Sequence, residues 1–312
     1  MITTHSKIFI AGHKGMLGSS IFKTLKKRGY KRLITIDRNK LDLRNQSSVK
    51  KFFKVRKLDA VIVAAAKVGG IKSNMSYPAS FINDNLQIQT NIISSSYENK
   101  VKKLILFGSS CIYPKNLKKP IKENQILTGE LEKTNESYAV AKIAGIKMIE
   151  AFNKQYKTKY MCLMPCNLFG PNDNYDLQNS HFLPALIRKI FTASKKKNKK
   201  FVKLWGTGAP LREVLHVNEV AKACEFFLRK KTNQPLINIG STTEMSIRKY
   251  ANIVKEIIDP SVSIKFNNDK KIDGVKRKKL DISLANKYGW KTKMNFLEAL
   301  NETIEDFKNF HR

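Results

Sequence analysis

Lys7-Ile8-Phe9-Ile10-Ala11-Gly12-His13-Lys14-Gly15-Met16-Leu17-Gly18 opens the chain with a short apolar run that ends in a glycine-rich turn. Leu17, Ile21 and Leu25 then recur at helical spacing as far as Gly29. A strand, a turn and an amphipathic helix in this order let the backbone approach a pyrophosphate seated at the helix N-terminus. The spacing is GxxGxxG, and glycines alone would equally describe a structural turn. Their place between strand and helix points to a dinucleotide loop, with Gly12, His13, Lys14, Gly15, Met16, Leu17 and Gly18 as cofactor contacts.

The same alternation continues outward. Leu33–Ile36 reads as a second strand, residues near Val49, Phe52 and Phe53 as a helix, and Ala60–Ala66 as a third strand. Phe81–Tyr97 predicts a long helix, Leu104–Phe107 a fourth strand, Tyr138–Phe152 a further helix and Tyr160–Met164 another strand. Short apolar runs between helices predict an α/β fold, a Rossmann-type doubly wound parallel sheet covered on both faces. After Gly170 the pattern loosens. Asn172–Asn179 reads as a loop, His181–Ala193 as a helix, Lys195–Lys200 as an exposed basic connector and Phe201–Trp205 as a strand. Gly206–Pro210 reads as a turn, and Val220–Leu228, Ile247–Ile258 and Phe296–Phe310 as helices. Val214–Val217 is expected to return to the main sheet. Residues 1–170, with returning segments near 213–240, form the expected dinucleotide domain. Residues 171–312 mainly form a smaller, interleaved substrate lobe.

Composition narrows the class. The chain has 312 residues, 42% of them hydrophobic and 27% charged, as a folded protein requires. No apolar run approaches the roughly 18 residues of a membrane span, and the first residues lack a secretion signal, so a cytoplasmic protein without a membrane partner is expected. Cys111, Cys162, Cys166 and Cys224 show no CxxC pair or metal-site spacing, and no metal is expected. The net charge of +34 has two readings. It suits a nucleic-acid or membrane-surface binder, or it reflects a lysine-rich bias spread over the whole chain. The lysines are scattered without interleaved aromatics, which favours the second reading and no specific nucleic acid.

Tyr138-Ala139-Val140-Ala141-Lys142 sets a phenol and an ammonium on one helix face. A nearby cation favours the phenolate and should lower a phenol pKa that otherwise lies near 10. Ser109 follows the fourth strand, where open α/β sheets form ligand sites. Its hydroxyl is placed to hydrogen-bond a carbonyl oxygen as charge develops there. Together they predict hydride transfer between a nicotinamide dinucleotide and a carbonyl carbon. The end of the second strand bears on the cofactor. Asp37 suits a ribose 2′-hydroxyl, whereas Arg38 and Lys14 suit a 2′-phosphate. The balance leans to NADP(H).

The order of glycine turn, strand-end serine and YxxxK resembles the extended short-chain dehydrogenases that act on nucleotide sugars. Four further segments resemble the GDP-L-fucose synthase family within that group: residues 64–71 (AAAKVGGI), 108–115 (GSSCIYPK), 138–145 (YAVAKIAG) and Asn179-Ser180-His181. The similarity runs from Ile8 to Gly289-Trp290. The resemblance implies 3,5-epimerisation of GDP-4-keto-6-deoxy-D-mannose followed by reduction at C4 with NADPH. It implies Cys111 and His181 as the acid–base pair of the epimerisation, with Ser109, Tyr138 and Lys142 completing the catalytic set. Arg38, Asp42, Leu43, Ala65, Pro165, Asn167 and Leu168, with Ser109, Lys142 and His181, are implied toward the cofactor. Lys189, Trp205, Arg212, Asp273 and Lys278 are implied toward the GDP-sugar, and a homodimer built on Phe81–Tyr97 and Tyr138–Phe152 is implied as the assembly. Read without the resemblance, Cys111 is a packing residue, His181 a surface or capping residue and Trp205 a core filler. The chain departs from the family at Cys166, where threonine is common, and at Asp37. Two rival readings stand beside this one: another nucleotide-sugar epimerase or dehydratase, and a non-catalytic dinucleotide-sensing or nucleic-acid-binding protein.

Overall fold

The computed structural model describes residues 1–115, 117–198, 200–269 and 273–310. The first half alternates as β1 (Lys7–Ala11), α1 (Met16–Lys27), β2 (Arg32–Ile34), α2 (Gln46–Arg56), β3 (Ala60–Val63), α3 (Ile71–Ser76), α4 (Pro78–Glu98), β4 (Lys103–Phe107), α5 (Glu136–Tyr156) and β5 (Met161–Pro165). Then follow β6 (Asn167–Phe169), α6 (Phe182–Ser194), β7 (Phe201–Leu204), β8 (Leu211–His216), α7 (Val217–Arg229), β9 (Leu236–Ile239) and β10 (Glu244–Ser246). The chain closes with α8 (Ile247–Ile258), β11 (Ser263–Phe266), β12 (Arg277–Lys278), α9 (Ser283–Lys287) and α10 (Phe296–Phe310).

The main sheet is parallel throughout, in the order β2-β1-β3-β4-β5-β9. Its central strands are buried on both faces, which is why KIFIA, AVIV and KLILF read as unbroken apolar runs rather than alternating ones. Strand order reverses beside β1, so a crevice opens at the carboxyl ends of β1 and β3. The doubly wound α/β fold is as the sequence predicts.

Two assignments need correction. Val214–Val217 does not join the main sheet. Val214–His216 lies in β8, which pairs with β6, β10 and β12 in a second sheet, and Val217 opens α7. The outer place in the main sheet belongs to β9, which the sequence reading does not assign as a strand. The third strand stops at Val63, and Ala64 to Ala66 turn over the crevice, with the Ala64 amide still donating to the Ala11 carbonyl at 3.0 Å.

The core divides into two apolar clusters. One spreads through the main sheet and its helices, from Ile8 to Trp290. The other joins α6, α8 and α10 through Leu186, Ile190, Tyr250, Val254 and Phe307.

Candidate active site

The turn after β1 is shaped by what its glycines cannot carry. Gly12 has φ +84°, and a Cβ there would strike the Ala65 backbone; a Cβ on Gly18 would strike the Gly12 carbonyl. Gly15 differs. A Cβ on it would meet only the Gly12 oxygen, at 3.6 Å, and it caps α1 with no side chain over the helix amides. The first and third glycines therefore close the turn, while the second leaves the positive end of α1 open to an anion.

A cavity of about 630 Å³ fills the crevice above this turn. Every cofactor contact expected from the sequence lines it: Gly12 to Gly18, Arg38, Asp42, Leu43, Ala65, Ser109, Lys142, Pro165, Asn167, Leu168 and His181. Tyr138 lines it as well. The open helix end and the cavity's length along the sheet edge fit a dinucleotide.

The catalytic candidates come from three elements. Ser109 leaves β4 and precedes a short 3-10 turn at Ser110–Ile112. Tyr138 and Lys142 share a face of α5. Ser109 stands beside both the Tyr138 phenol and the Cys111 thiol, where its hydroxyl favours the ionised form of each. The Lys142 ammonium is buried and donates to the Phe107 carbonyl at 2.9 Å, with the Tyr138 ring centroid 5.8 Å away. Burial pushes the Tyr138 phenol well above its ordinary range and lowers Lys142 to about 8. The expected depression of the phenol by Lys142 is therefore not what the structure shows. Loss of water around the ring outweighs an amine whose proton is turned toward a backbone oxygen.

Cys111 is buried behind Ser109 and does not line the cavity. Burial raises its thiol, opposed chiefly by the positive charge of Lys278. His181 caps α6 without a side-chain hydrogen bond, so it is no capping residue in the energetic sense. Its ring opens to the cavity, while surrounding protein lowers its imidazole below the ordinary value. The segment bearing it is tied across the crevice, since the Gly70 amide donates to the Asn179 carbonyl at 2.9 Å. Beside it, the Ser180 hydroxyl oxygen is buried with no partner among the described residues.

The five residues expected to meet a GDP-sugar lie outside that cavity wall, in two groups. Lys189 stands 4.9 Å from the Trp205 ring centroid, and Trp205 is 67% exposed, which rules out the core-filling reading. Arg212 and Lys278 are register partners in β8 and β12. The Arg212 guanidinium donates to the Val275 carbonyl at 2.7 Å and the Leu211 carbonyl at 2.9 Å. Asp273 is already engaged, accepting from the Thr207 amide and hydroxyl, each at 2.7 Å. It fixes the turn at Gly206 rather than presenting a free carboxylate.

Sequence reasoning named Asp42 but missed the ion-pair network that surrounds it on the cavity wall. Arg44 holds Asp42 through both carboxylate oxygens, reaches Asp84 at 3.2 Å, and Lys67 meets Asp84 at 3.4 Å. The Arg44 charge holds the Asp42 carboxyl down at about 2. Asp42 and Arg44 are near in sequence, but Asp84 comes from α4, and no local pattern announces that meeting.

A switch-point crevice, a capless helix end, and Ser109 and Tyr138 lining one cavity beside a buried lysine define a dinucleotide-dependent enzyme of the short-chain dehydrogenase class. A family profile described as "NAD dependent epimerase/dehydratase family" matches residues 8–240. The chain is 47% identical to GDP-L-fucose synthase 1 of Arabidopsis thaliana over 96% of its own length and 92% of that protein's. It is 41% identical to GDP-L-fucose synthase of Escherichia coli (strain K12), over 96% of each. Among solved structures, a GDP-mannoheptose C4 reductase from Campylobacter jejuni with NADP bound superimposes with a TM-score of 0.90 at 36% identity, covering 99% of this chain and 100% of that one. The chain belongs to the NAD dependent epimerase/dehydratase family, and within it to the GDP-L-fucose synthase group.

Proposed function

We propose that this enzyme converts GDP-4-keto-6-deoxy-D-mannose to GDP-L-fucose, epimerising C3 and C5 and then reducing the C4 ketone with NADPH. The observation that carries the reading is the gathering of Ser109, Tyr138, Lys142 and His181 in the lining of one cavity, with Cys111 buried next to Ser109 and the loop of His181 tied to Gly70. Near-full-length similarity to GDP-L-fucose synthases supports the substrate. NADPH, when bound, supplies the hydride.

The residues do the rest. A proton alpha to a ketone is acidified by the carbonyl, so inversion needs a base on one face and an acid on the other. Cys111 with a raised pKa starts as a thiol, and His181 with a lowered pKa starts as a neutral imidazole. One therefore begins as donor and the other as acceptor. Each inversion leaves them exchanged, and because H3 and H5 of the D-manno ring lie on one face, proton exchange with solvent resets the pair before the second epimerisation. Ser109 and Tyr138 hold the carbonyl oxygen while it carries enolate charge. After reduction Tyr138, kept protonated by burial, gives its proton to the C4 alkoxide. Lys142 positions the phenol and the ribose side of the cofactor.

Lys189, Trp205, Arg212 and Lys278 contact the GDP-sugar in this reading, with cationic groups suited to a diphosphate. Residues 1–170 with the returning segments near 217–240 form the dinucleotide unit, and 171–312 mainly the substrate lobe. The working state is a homodimer in the cytoplasm.

The test follows NADPH absorbance with GDP-4-keto-6-deoxy-D-mannose and identifies the product. Oxidation with GDP-L-fucose as product is expected. Tyr138→Phe should lower kcat by about 100- to 10,000-fold. Cys111→Ser should bind NADPH normally yet form little GDP-L-fucose, and unchanged product from that variant would remove Cys111 from the mechanism.

A further inference from the structure

The carboxylate of Asp37 sits at the mouth of the cavity, just beyond β2, where the sheet edge meets the glycine turn. It holds Lys14 at 2.9 Å through one oxygen and His13 Nε2 at 3.3 Å through the other. Arg38 lines the same cavity, is exposed, and makes no ion pair among the described residues. One acid and two cations thus face the position where the adenosine ribose of a dinucleotide lies relative to such a turn. The acid suits a ribose that carries hydroxyls, and the cations suit one that carries a phosphate. The observed pairing decides between them only in part, because Asp37 already occupies the cation nearest the turn.

We propose that Asp37 sets cofactor choice, making this an enzyme that accepts both NADPH and NADH. The proposal rests on reading the cavity as the dinucleotide site. With NADH, the Asp37 carboxylate keeps Lys14 and accepts a hydrogen bond from the 2′-hydroxyl. With NADPH, the 2′-phosphate draws on Arg38 and must share Lys14 with a carboxylate of like charge. Attraction and repulsion oppose one another in the second case, so neither cofactor is excluded. Removing the Asp37 charge frees Lys14 for the phosphate and takes an acceptor from the hydroxyl. The two effects push preference in one direction.

The experiment titrates the protein with NADPH and separately with NADH by nicotinamide fluorescence, with no sugar present. The wild-type Kd values are expected to lie within about tenfold of one another. Asp37→Asn should tighten NADPH and weaken NADH, raising the NADPH:NADH preference at least tenfold, and Asp37→Thr should do the same. Lys14→Ala should shift preference toward NADH. An unchanged ratio in both Asp37 variants would overturn the proposal, as would a wild-type protein that rejects NADH by a thousandfold. If neither dinucleotide binds, the cavity reading and this proposal fall together. If both bind with the expected shifts but no GDP-sugar turns over, only the substrate assignment fails.

Discussion

At the scale of single residues, chemistry here depends on protons that burial has moved. Lys142 lies below the ordinary lysine value, at about 8, because its ammonium is shut away from water. Its charge is full below that pH and fades above it. The kcat/KM profile should therefore fall as pH rises through about 8, since this parameter reports groups of the free enzyme. Lys142→Arg should retain some activity and lose that alkaline limb, because a guanidinium does not titrate there. A limb unchanged in the arginine variant would assign it to another group. The Tyr138–Lys142 pair was legible because its members lie four apart on one helix, a spacing that fixes their common face. The burial of Cys111 next to Ser109 was not, since it depends on how the turn after β4 packs against α5. Nor was the spent carboxylate of Asp273, whose partner Thr207 is sixty-six positions away.

At the scale of elements, one side chain joins three segments. Glu213 of β8 is fully buried and accepts the Ser241 amide at 2.7 Å and the Leu280 amide at 2.9 Å. Both donor residues are buried. Glu213→Ala should leave both unmade, at about 1–3 kcal/mol each, and shift chemical denaturation by about 2–6 kcal/mol. A shift below half a kcal/mol would show that the strap is dispensable. The neighbouring strands explain where sequence reading failed. β8 carries only the short apolar stretch Val214–Leu215, and so short a stretch does not say which sheet it enters. β9 was hidden by Asn238 in its middle. That amide is satisfied by three long-range groups, accepting from the Tyr113 hydroxyl at 2.6 Å and donating to the Ile121 and Asp281 carbonyls at 2.8 and 3.2 Å. A buried polar residue with distant partners looks, locally, like a loop residue.

At the scale of the whole molecule, assembly and charge are the testable properties. α4 and α5 pack side by side, and at their carboxyl ends Tyr97 and Tyr156 stack with centroids 4.1 Å apart while remaining 38% and 40% exposed. For the proposed homodimer, sedimentation equilibrium should give twice the 35.7 kDa chain mass. Tyr97→Glu should shift it toward monomer, and a monomeric wild type would dismiss the dimer. The surplus of 59 basic over 25 acidic residues should give only weak, sequence-blind attraction to DNA that disappears as salt is raised. The overall architecture was legible because parallel strands covered on both faces leave an unmistakable apolar signature, whereas quaternary contacts leave none.

The backbone bond from Gly70 to Asn179 has a kinetic corollary. It ties the stretch that follows β3, one flank of the dinucleotide cavity, to the stretch that delivers His181. Whatever settles the first stretch settles the imidazole too. Reactants are then expected to add in order, nucleotide cofactor first and sugar nucleotide second, and product inhibition checks it: NADP+ should compete against NADPH but not against the sugar.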